Sequence, residues 1–332
     1  MTAKRTGFTL LVLFLLLGGA VVCGLAWGSA PLDFGTIVDA LSGRGDDTAR
    51  IILFELRLPR VGGALLAGAG LAVCGLLLQT VTGNDLCSPN IIGVNAGAGL
   101  AVMVILCLFP MAFRLLPLAA FVGALATTLT VLGISASAGG HSTKTTVVLA
   151  GVAVGALLNA GISFLSSLYP DALASYTAFS VGGFSGVYAD DLPLPGLLIL
   201  AGILVAWCLS PRLNLLCLGD ELARSLGVRV QALRLLCLIL ASALCAAVVT
   251  FAGLLGFVGL VVPHITRRLV GHDLRILVPA GALLGALLTV VADLAGRTLF
   301  SPAELPAGIL LSALGAPFFL FLLFKRRRAY DA

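Results

Sequence analysis

Few side chains in this sequence have the types and spacing that catalysis or metal binding requires. It contains no His-Glu-x-x-His arrangement, no Gly-Lys-Ser/Thr phosphate loop and no Gly-x-Ser-x-Gly nucleophile elbow. The three histidines are His141, His264 and His272, and the three lysines are Lys4, Lys144 and Lys325. We therefore expect a chain that is not an enzyme, has no catalytic residue, and holds no metal and no cofactor of its own. Any ATP-driven work would belong to another polypeptide.

The remaining reactive groups are cysteines and one acid–base pair. The eight cysteines form no Cys-x-x-Cys pair and mostly lie in apolar runs, where a cysteine usually acts as a small buried hydrophobe. Asp293 and Arg297 are spaced to pair on one helical face. A carboxylate inside a membrane could instead belong to a proton path. Because the apolar stretches hold almost no other acid, the local pair is favoured.

The composition indicates which class of protein must position these groups. Of 332 residues, 60% are hydrophobic and 11% are charged, and the mean hydropathy is +1.13. Soluble domains are roughly 45–50% apolar and about 25% charged. This composition excludes a soluble enzyme, a nucleic-acid-binding module and a disordered chain. It predicts an all-α polytopic membrane protein surrounded by lipid. The net charge of +5 does not indicate nucleic acid, because the basic residues lie at the ends of apolar segments.

Apolar stretches separated by charges, prolines or polar clusters predict about ten transmembrane helices of ~20 residues each. They are 8–27, 61–80, 92–109, 117–135, 146–168, 193–210, 232–252, 257–270, 276–298 and 306–324. The first exceeds the apolar core of a signal peptide, so we expect it to be retained as a span. An even number of spans puts both termini on one side. The excess of Lys and Arg on that side, including the run Lys325–Arg328, predicts that both termini are cytoplasmic.

Two interruptions follow the second and seventh apolar stretches. They are a polar, turn-forming segment at 82–90 and a glycine-containing segment at 251–256. Breaks at corresponding positions of two halves are typical of transporters built from inverted repeats. Most glycines within the stretches are also explained by tight helix packing alone. We therefore expect inverted-repeat halves within a single transmembrane domain, residues 1–332.

The segment from Pro211 to Arg234 predicts a short amphipathic helix. Two acids, an Ala/Leu stretch and the terminal Gly227 follow one another in the order that a capped helix and a turn require. On the cytoplasmic face such a helix could lie on the membrane surface or dock a partner protein. The residues alone leave both alternatives open.

Four ordered blocks of residues resemble the permease subunits of iron-siderophore, haem and cobalamin ABC importers. The first block is Arg57–Arg60 with Gly68–Gln79, Asn84, Ser88, Pro89 and Gly93, and the second is Leu215–Val228. The third is Gly256–Ile265 with Arg267, Gly271, Asp273 and Arg275. The fourth is Gly285, Asp293, Arg297, Glu304–Gly308 and Gly315–Phe319. The blocks extend over nearly the whole chain in the family's order.

The resemblance implies a subunit of about ten helices that pairs with a second copy or a close paralogue. The pair would form the translocation pathway for a metal chelate, with an iron-siderophore the first expectation and haem or cobalamin next. It implies two cytoplasmic ABC ATPase subunits, which carry ATP and Mg, and an extracytoplasmic substrate-binding protein that delivers the chelate. The implied location is the cytoplasmic (inner) membrane of a bacterium or archaeon.

The resemblance also implies roles for individual residues. The ATPase-coupling residues are Leu218, Gly219, Asp220, Glu221, Ala223, Arg224, Leu226 and Gly227, in a loop at about 211–231. The residues that dock the binding protein are Arg57, Arg60 and Arg297. A guanidinium suits bidentate contact with a carboxylate, although each arginine could instead cap a helix end or pair within the chain. The cytoplasmic-gate residues are Asn84, Asp85, Leu86, Ser142, Thr143 and Lys144. The pathway-lining residues are Asn159, Ser163 and Ser166 in the fifth span.

The chain departs from the family pattern at two places. Asp85 occupies the position after Asn84 where the family usually has proline, which puts a charge at the expected gate. The outer segment at about 169–192 contains Phe179–Phe184 where the family usually has tryptophan and a Gly-Ser pair. We therefore do not expect the family's contacts with the binding protein in that segment.

The alternative to an ABC importer is a secondary transporter driven by an ion gradient. That class requires charged or ion-coordinating groups deep in several spans. The apolar stretches contain almost none, so the importer is the favoured interpretation.

Overall fold

In the computed structural model, which describes residues 3–28, 33–42, 46–137, 144–299 and 303–330, every regular element is helical. The α-helices are α1 (Ala3–Ala26), α2 (Phe34–Leu41), α3 (Asp47–Ile51), α4 (Leu58–Thr82), α5 (Val94–Leu108), α6 (Leu116–Ser137), α7 (Lys144–Leu168), α8 (Pro170–Val181), α9 (Pro193–Leu216), α10 (Asp220–Ser225), α11 (Val230–Ala252), α12 (Val258–Val270), α13 (Leu274–Thr298) and α14 (Ala307–Tyr330). The π-helical stretch Ile52–Arg57 joins α3 to α4, and 3-10 turns occupy Phe113–Leu115 and Ala189–Asp191. The all-helical prediction is confirmed for these residues.

Seven helices within the described ranges are long and apolar enough to cross a membrane. They are α1, the continuous helix from α3 through α4, α6, α7, α9, α11 and α13. The apolar parts of α5 and α14 are shorter. Helix α12 has 13 residues, or about 20 Å of helix against a hydrocarbon core of about 30 Å. The helices therefore indicate a multi-pass membrane protein.

Helix α4 lies at the centre of the bundle and packs against α9, α11, α12 and α13. Small residues allow this close approach. Gly68 faces the backbone of Gly285 in α13, and Gly75 faces the backbone of Gly259 in α12, so closely that a Cβ on either residue would overlap a carbonyl oxygen. Packing of this kind replaces the hydrophobic force between helices in lipid. Helix α4 thereby fixes the positions of both α12 and α13.

Both predicted interruptions are present as breaks between helices. After α4 the chain leaves the helix at Gly83 and enters α5 from Gly93, with φ angles of 61° and 80°. After α11 it turns at Gly253 and enters α12 from Phe257. The φ of 64° at Phe257 is the only positive value for a non-glycine residue in the described chain. A left-handed phenylalanine is costly and persists only where packing holds it, and Gly315 of α14 leaves room for its side chain.

Helix α9 continues through Pro211 to Leu216, so the expected boundary at 210 is wrong. A proline within a helix leaves the carbonyl of residue i−4 without its donor, and here that carbonyl belongs to Trp207. The hydroxyl of Ser210 donates to the Trp207 carbonyl at 2.5 Å. Because this side chain replaces the missing backbone donor, the helix does not end at the proline.

Candidate functional sites at the two ends of α4

The short helix expected between the sixth and seventh apolar stretches is confirmed as α10. Gly219 turns the chain into the helix with φ 109°, and Gly227 ends it with φ 83°. Ala223 is fully buried, whereas Glu221 and Arg224 are exposed. Leu218, Leu222 and Leu226 are each more than half exposed. We call Leu218, Glu221, Leu222, Arg224 and Leu226 the α10 surface. Its exposed leucines beside an acid and a base are typical of a surface that binds protein.

Asp220, the first residue of α10, is held by a buried arginine of α11. Arg234 is 7% exposed, and its Nη2 donates to both carboxylate oxygens of Asp220 at 3.0 Å. Its Nε donates to the carbonyl oxygen of Val81 at 3.1 Å. Val81 lies in the last turn of α4, where backbone carbonyls lack helical partners. One guanidinium therefore joins α10, α11 and the end of α4.

The predicted gate residues on the α4–α5 connection form a tight turn. The side-chain oxygen of Asn84 accepts from the backbone N–H of Leu86 at 3.0 Å, and the Asn84 carbonyl accepts from the backbone N–H of Cys87 at 3.0 Å. The backbone N–H of Asn84 in turn donates to the Thr82 hydroxyl at 3.3 Å. This arrangement explains why an Asn stands at this position, since its side chain mimics a backbone acceptor. We call residues 83–93 the gate segment.

Asp85, the charge where the family usually has proline, has a partner in α12. Its Oδ1 lies 3.3 Å from Nη1 of Arg267. The same nitrogen donates to the side-chain oxygen of Gln79 at 2.5 Å. The Gln79 amide nitrogen then donates to the Gly259 carbonyl at 3.3 Å. The gate segment is thus tied to α12 through charged and polar side chains.

The remaining predicted gate residues lie at the start of α7. Ser142 and Thr143 lie outside the described residues, and Lys144 is the first residue of α7. Their role in the gate stays a prediction.

Helix α9, which leads into α10, is pinned to the start of α13 at the same end of the bundle. Asp273 caps α13, accepting from the backbone N–H of Arg275 at 3.0 Å and from the Asn214 amide of α9 at 2.7 Å. These hydrogen bonds, the backbone one first, hold the pKa of Asp273 below its ordinary value. The indole of Trp207 donates to the Arg275 carbonyl at 2.9 Å. Helices α9 and α13 are therefore held together here by polar contacts as well as by packing.

At the opposite end of α4, two of the three predicted arginines share one buried carboxylate. Asp293 is 2% exposed, and Arg60 Nε donates to its two oxygens at 3.0 and 3.1 Å. Arg297 Nε lies 3.2 Å from the second oxygen, which confirms the pair predicted from spacing. Arg60 also contacts Glu304 at 2.7 Å. Two cations therefore share a buried acid, with a second acid at the edge.

The third arginine of this end, Arg57, binds backbone carbonyls. Its Nη1 donates to the carbonyls of Leu25 and Ala26 at the end of α1, at 2.5 and 2.8 Å. Arg297 similarly donates to the Gly24 carbonyl at 3.0 Å. Arg57 and Arg297 are 4% and 3% exposed, yet both line, with Arg60 and Glu304, a pocket of 430 Å³. All three guanidiniums thus bond to groups of this chain, and they also line a cavity.

The predicted pathway residues of α7 share one exposed face. Asn159 and Ser163 are exposed, Ser166 is half-buried, and their spacing places them on one side of the helix. The hydroxyls of Ser163 and Ser166 donate to carbonyls of their own helix at 3.0 and 2.8 Å. With α1, α7 is among the least enclosed of the long apolar helices. This face of α7 is therefore not covered by the rest of the described chain.

Comparison with known proteins identifies the class to which these sites belong. The model of the FecCD transport family matches residues 11–325. The chain belongs to this family. As a FecCD permease it is a transport protein of the membrane and not itself an enzyme.

Individual relatives match the FecCD permease over nearly its whole length. It is 37% identical over 329 residues to the Fe(3+)-citrate import system permease protein YfmE of Bacillus subtilis (strain 168), covering 98% of this chain and 97% of that protein. It is 37% identical over 331 residues to the hemin transport system permease protein HmuU of Yersinia pestis, covering 97% and 95%. A solved metal-chelate type ABC transporter in an inward-facing conformation superposes with a TM-score of 0.86 at 32% identity, covering 95% of this chain and 98% of that one. The resemblance found in the sequence is confirmed.

Sequence reasoning missed the contacts that hold the predicted sites of this FecCD permease in place. Arg234, Arg267 and Gln79 received no role, although Arg234 bonds to Asp220, Arg267 pairs with Asp85, and Gln79 bonds to Arg267. An available signal was the presence of an arginine inside an apolar helix, where an ionisable group indicates function. The partners themselves are far apart in sequence and follow only from the packing of α4, α11 and α12.

Proposed function

We propose that this FecCD permease is the transmembrane subunit of an ATP-binding-cassette importer that carries a metal chelate. Iron chelates are the first candidates, with haem and cobalamin next. The observation that carries the proposal is the family match over residues 11–325, together with relatives named for import of Fe(3+)-citrate and hemin. The chelate would arrive on an extracytoplasmic binding protein at the cytoplasmic (inner) membrane.

The α10 surface would bind the ATPase. The sequence contains no phosphate loop, so ATP and Mg would be held by two partner subunits. Exposed leucines flanked by Glu221 and Arg224 offer an apolar centre with a charged rim, as protein interfaces commonly do. The buried Ala223 and the paired Asp220 face the bundle and would attach this surface to it.

The helices and the distribution of charge support the membrane topology that we propose. Seven long apolar helices with α5, α12 and α14 would make ten spans in one domain, with both termini in the cytoplasm. Inverted-repeat halves are supported by the breaks after α4 and α11, each of which ends in a left-handed residue before a shorter helix. The open face of α7, with Asn159, Ser163 and Ser166, would line the pathway between two permease subunits.

The two ends of α4 would have different roles. The gate segment, with Asn84, Asp85 and Leu86, would close the pathway on the cytoplasmic side, and the start of α7 would flank it. The pocket bordered by Arg57, Arg60 and Arg297 would receive an acidic side chain of the binding protein. Because Asp293 already neutralises part of this charge, Arg60 would make the adjustable contact by exchanging its exposed partner Glu304 for the incoming acid.

An ion-gradient-driven transporter is not favoured by the described spans. Asp293 is the only acidic residue buried in the part of the chain that the structure describes, and it is paired with Arg60 and Arg297. A proton or cation path requires several such groups in sequence. A buried acid held between two cations is better suited to a fixed structural role.

Uptake in cells distinguishes the two energy sources. In a strain that lacks this chain, we expect uptake of radiolabelled Fe(3+)-citrate, hemin or cobalamin to be lost for one of the three and restored when the chain is supplied. Depleting ATP with arsenate should stop that uptake, whereas a protonophore applied while ATP is maintained should not. Uptake that follows the proton gradient instead of ATP would contradict the proposal and favour the ion-driven alternative.

A further inference from the structure

The buried Arg234 lies between the start of α10 and the end of α4 that leads into the gate segment. Its Nη2 bonds to Asp220 at the start of α10, and its Nε bonds to the Val81 carbonyl near the end of α4. Val81 is fully buried and immediately precedes Thr82 and the gate segment. Arg234 therefore bonds to α10 and to the last turn of α4, from which the gate segment begins, and its own helix, α11, packs along α4.

The bonds of Arg234 are strong for physical reasons. Hydrogen bonds between an ionised donor and an ionised acceptor are roughly twice as strong as neutral ones. The guanidinium is planar and rigid, so it can hold two partners in a fixed relation, which a lysine cannot do. Because Arg234 is 7% exposed, breaking either bond would leave a charge or a carbonyl poorly solvated. The three groups are therefore expected to move together.

The connection continues from Val81 into the gate segment. Thr82 follows Val81 directly, and its hydroxyl accepts from the Asn84 backbone N–H. Asn84 shapes the turn through Leu86 and Cys87. On its other side, Asp85 of this segment is held by Arg267 of α12. A shift of α10 that moves Arg234 would thus pull on the gate segment at the end of α4. The pairing of Asp85 with Arg267 would hold the same segment against α12.

We propose that Arg234 is the positioning residue that transmits displacement of the α10 surface to the gate segment through Asp220 and Val81. The proposal rests on the function proposed above, since it requires an ATPase on α10. It assigns to Arg234 the coupling between two sites rather than contact with ATPase or chelate. Coupling of this kind is a free energy shared by two sites, and removing its connecting group lowers it without abolishing either site.

Cys87 provides a native reporter of the gate segment. Its side chain is fully buried, and burial raises the pKa of its thiol. Maleimides react with the thiolate, so the labelling rate increases when the thiol becomes exposed to water. The experiment uses the intact complex of this chain with its ATPase, purified from the native membrane. Labelling of Cys87 by N-ethylmaleimide is followed by mass spectrometry, without nucleotide and with ATP, Mg and vanadate, and no chelate is needed.

The variants separate coupling from folding and docking. Arg234→Met removes both bonds, and Asp220→Asn weakens the link to α10 while leaving Arg234 on Val81. Arg268→Met, an exposed arginine at the same end of the bundle, is the matched control. In the wild type and the control we expect ATP to change the Cys87 labelling rate. In both test variants the change should fall about tenfold, and in Arg234→Met the ATPase should remain bound and hydrolyse ATP. The double variant should be no worse than Arg234→Met, because the two residues act in one connection.

Several outcomes would overturn the proposal. One is an unchanged ATP effect on Cys87 in Arg234→Met, or, if that variant does not fold, in Asp220→Asn. Another is loss of the ATPase from a variant that unfolds at the wild-type temperature, because the pair would then serve docking. A wild-type complex in which ATP does not change the Cys87 labelling rate would also contradict the proposed transmission from α10 to the gate segment. If no ATPase accompanies the wild-type chain, the proposed function itself fails, and the two failures are thereby distinguished.

Discussion

At the scale of single residues, the distinctive feature of this permease is that largely buried arginines bond to charged and polar side chains far away in sequence. Arg60 and Asp293 are 233 positions apart, and Arg267 and Gln79 are 188 apart. The Asp293–Arg297 pair could be predicted because both residues lie on one helix at adjacent turns. The contribution of Arg60 could not, since it requires α4 and α13 to pack side by side. Local spacing is visible in a sequence, whereas partners supplied by tertiary packing are not.

The carboxylate of Asp293 is expected to be essential to the stability of the end of the bundle that holds Arg60 and Arg297. Substituting Asp293→Asn leaves two largely buried guanidiniums without a shared anion, which should cost about 3–5 kcal/mol of folding stability. Glu304→Gln is the matched control, because that side chain is 32% exposed and its pairing should contribute about 1 kcal/mol or less. Thermal unfolding midpoints in one detergent compare the two. Equal midpoints for both variants would show that Asp293 is not the central anion.

At the scale of elements, α4 organises the structure through small residues. The apolar stretches predicted where helices form, because hydrophobicity and length suffice for that. They did not predict the extension of α9 through Pro211, since the compensating hydroxyl of Ser210 acts only once the helix exists. They also did not predict the left-handed Phe257, which depends on the space left by Gly315 in α14. Helix positions thus follow from local sequence, and helix ends depend on neighbours.

The close contact between α4 and α12 predicts that Gly75→Ala destabilises the protein, whereas Gly133→Ala, away from that contact, does not. A Cβ at position 75 would overlap the Gly259 carbonyl, so Gly75→Ala should force the helices apart and cost about 1–3 kcal/mol. Gly133→Ala in α6 meets no atom within 4 Å and should be neutral or slightly stabilising, because alanine favours the helix. Thermal unfolding midpoints again provide the measurement. A Gly75→Ala protein as stable as Gly133→Ala would contradict the contact between these two backbones.

At the scale of the whole molecule, this FecCD permease combines two polar ends joined by one central apolar helix. One end of α4 carries the arginine pocket, and the other carries the gate segment and, through Arg234, the α10 surface. The sequence predicted both sets of residues from a family resemblance and predicted the short α10 helix from its own pattern. It could not predict that both sets are fastened to the same helix, because that arrangement depends on how α4 packs. Transport in such a molecule needs no bond-making, only a two-state pathway whose equilibrium a partner shifts.

The most direct test of the central claim is to purify the tagged chain gently from its native membrane and to measure, by mass spectrometry, the stoichiometry of what accompanies it. We expect an ABC ATPase in stoichiometric amount, together with a second copy of this chain or a related permease. The double variant Glu221→Ala/Arg224→Ala should lose the ATPase or its coupled hydrolysis while unfolding at the wild-type temperature, because both side chains lie on the exposed α10 surface. A folded, dimeric wild-type chain that carries no ATPase would contradict the account.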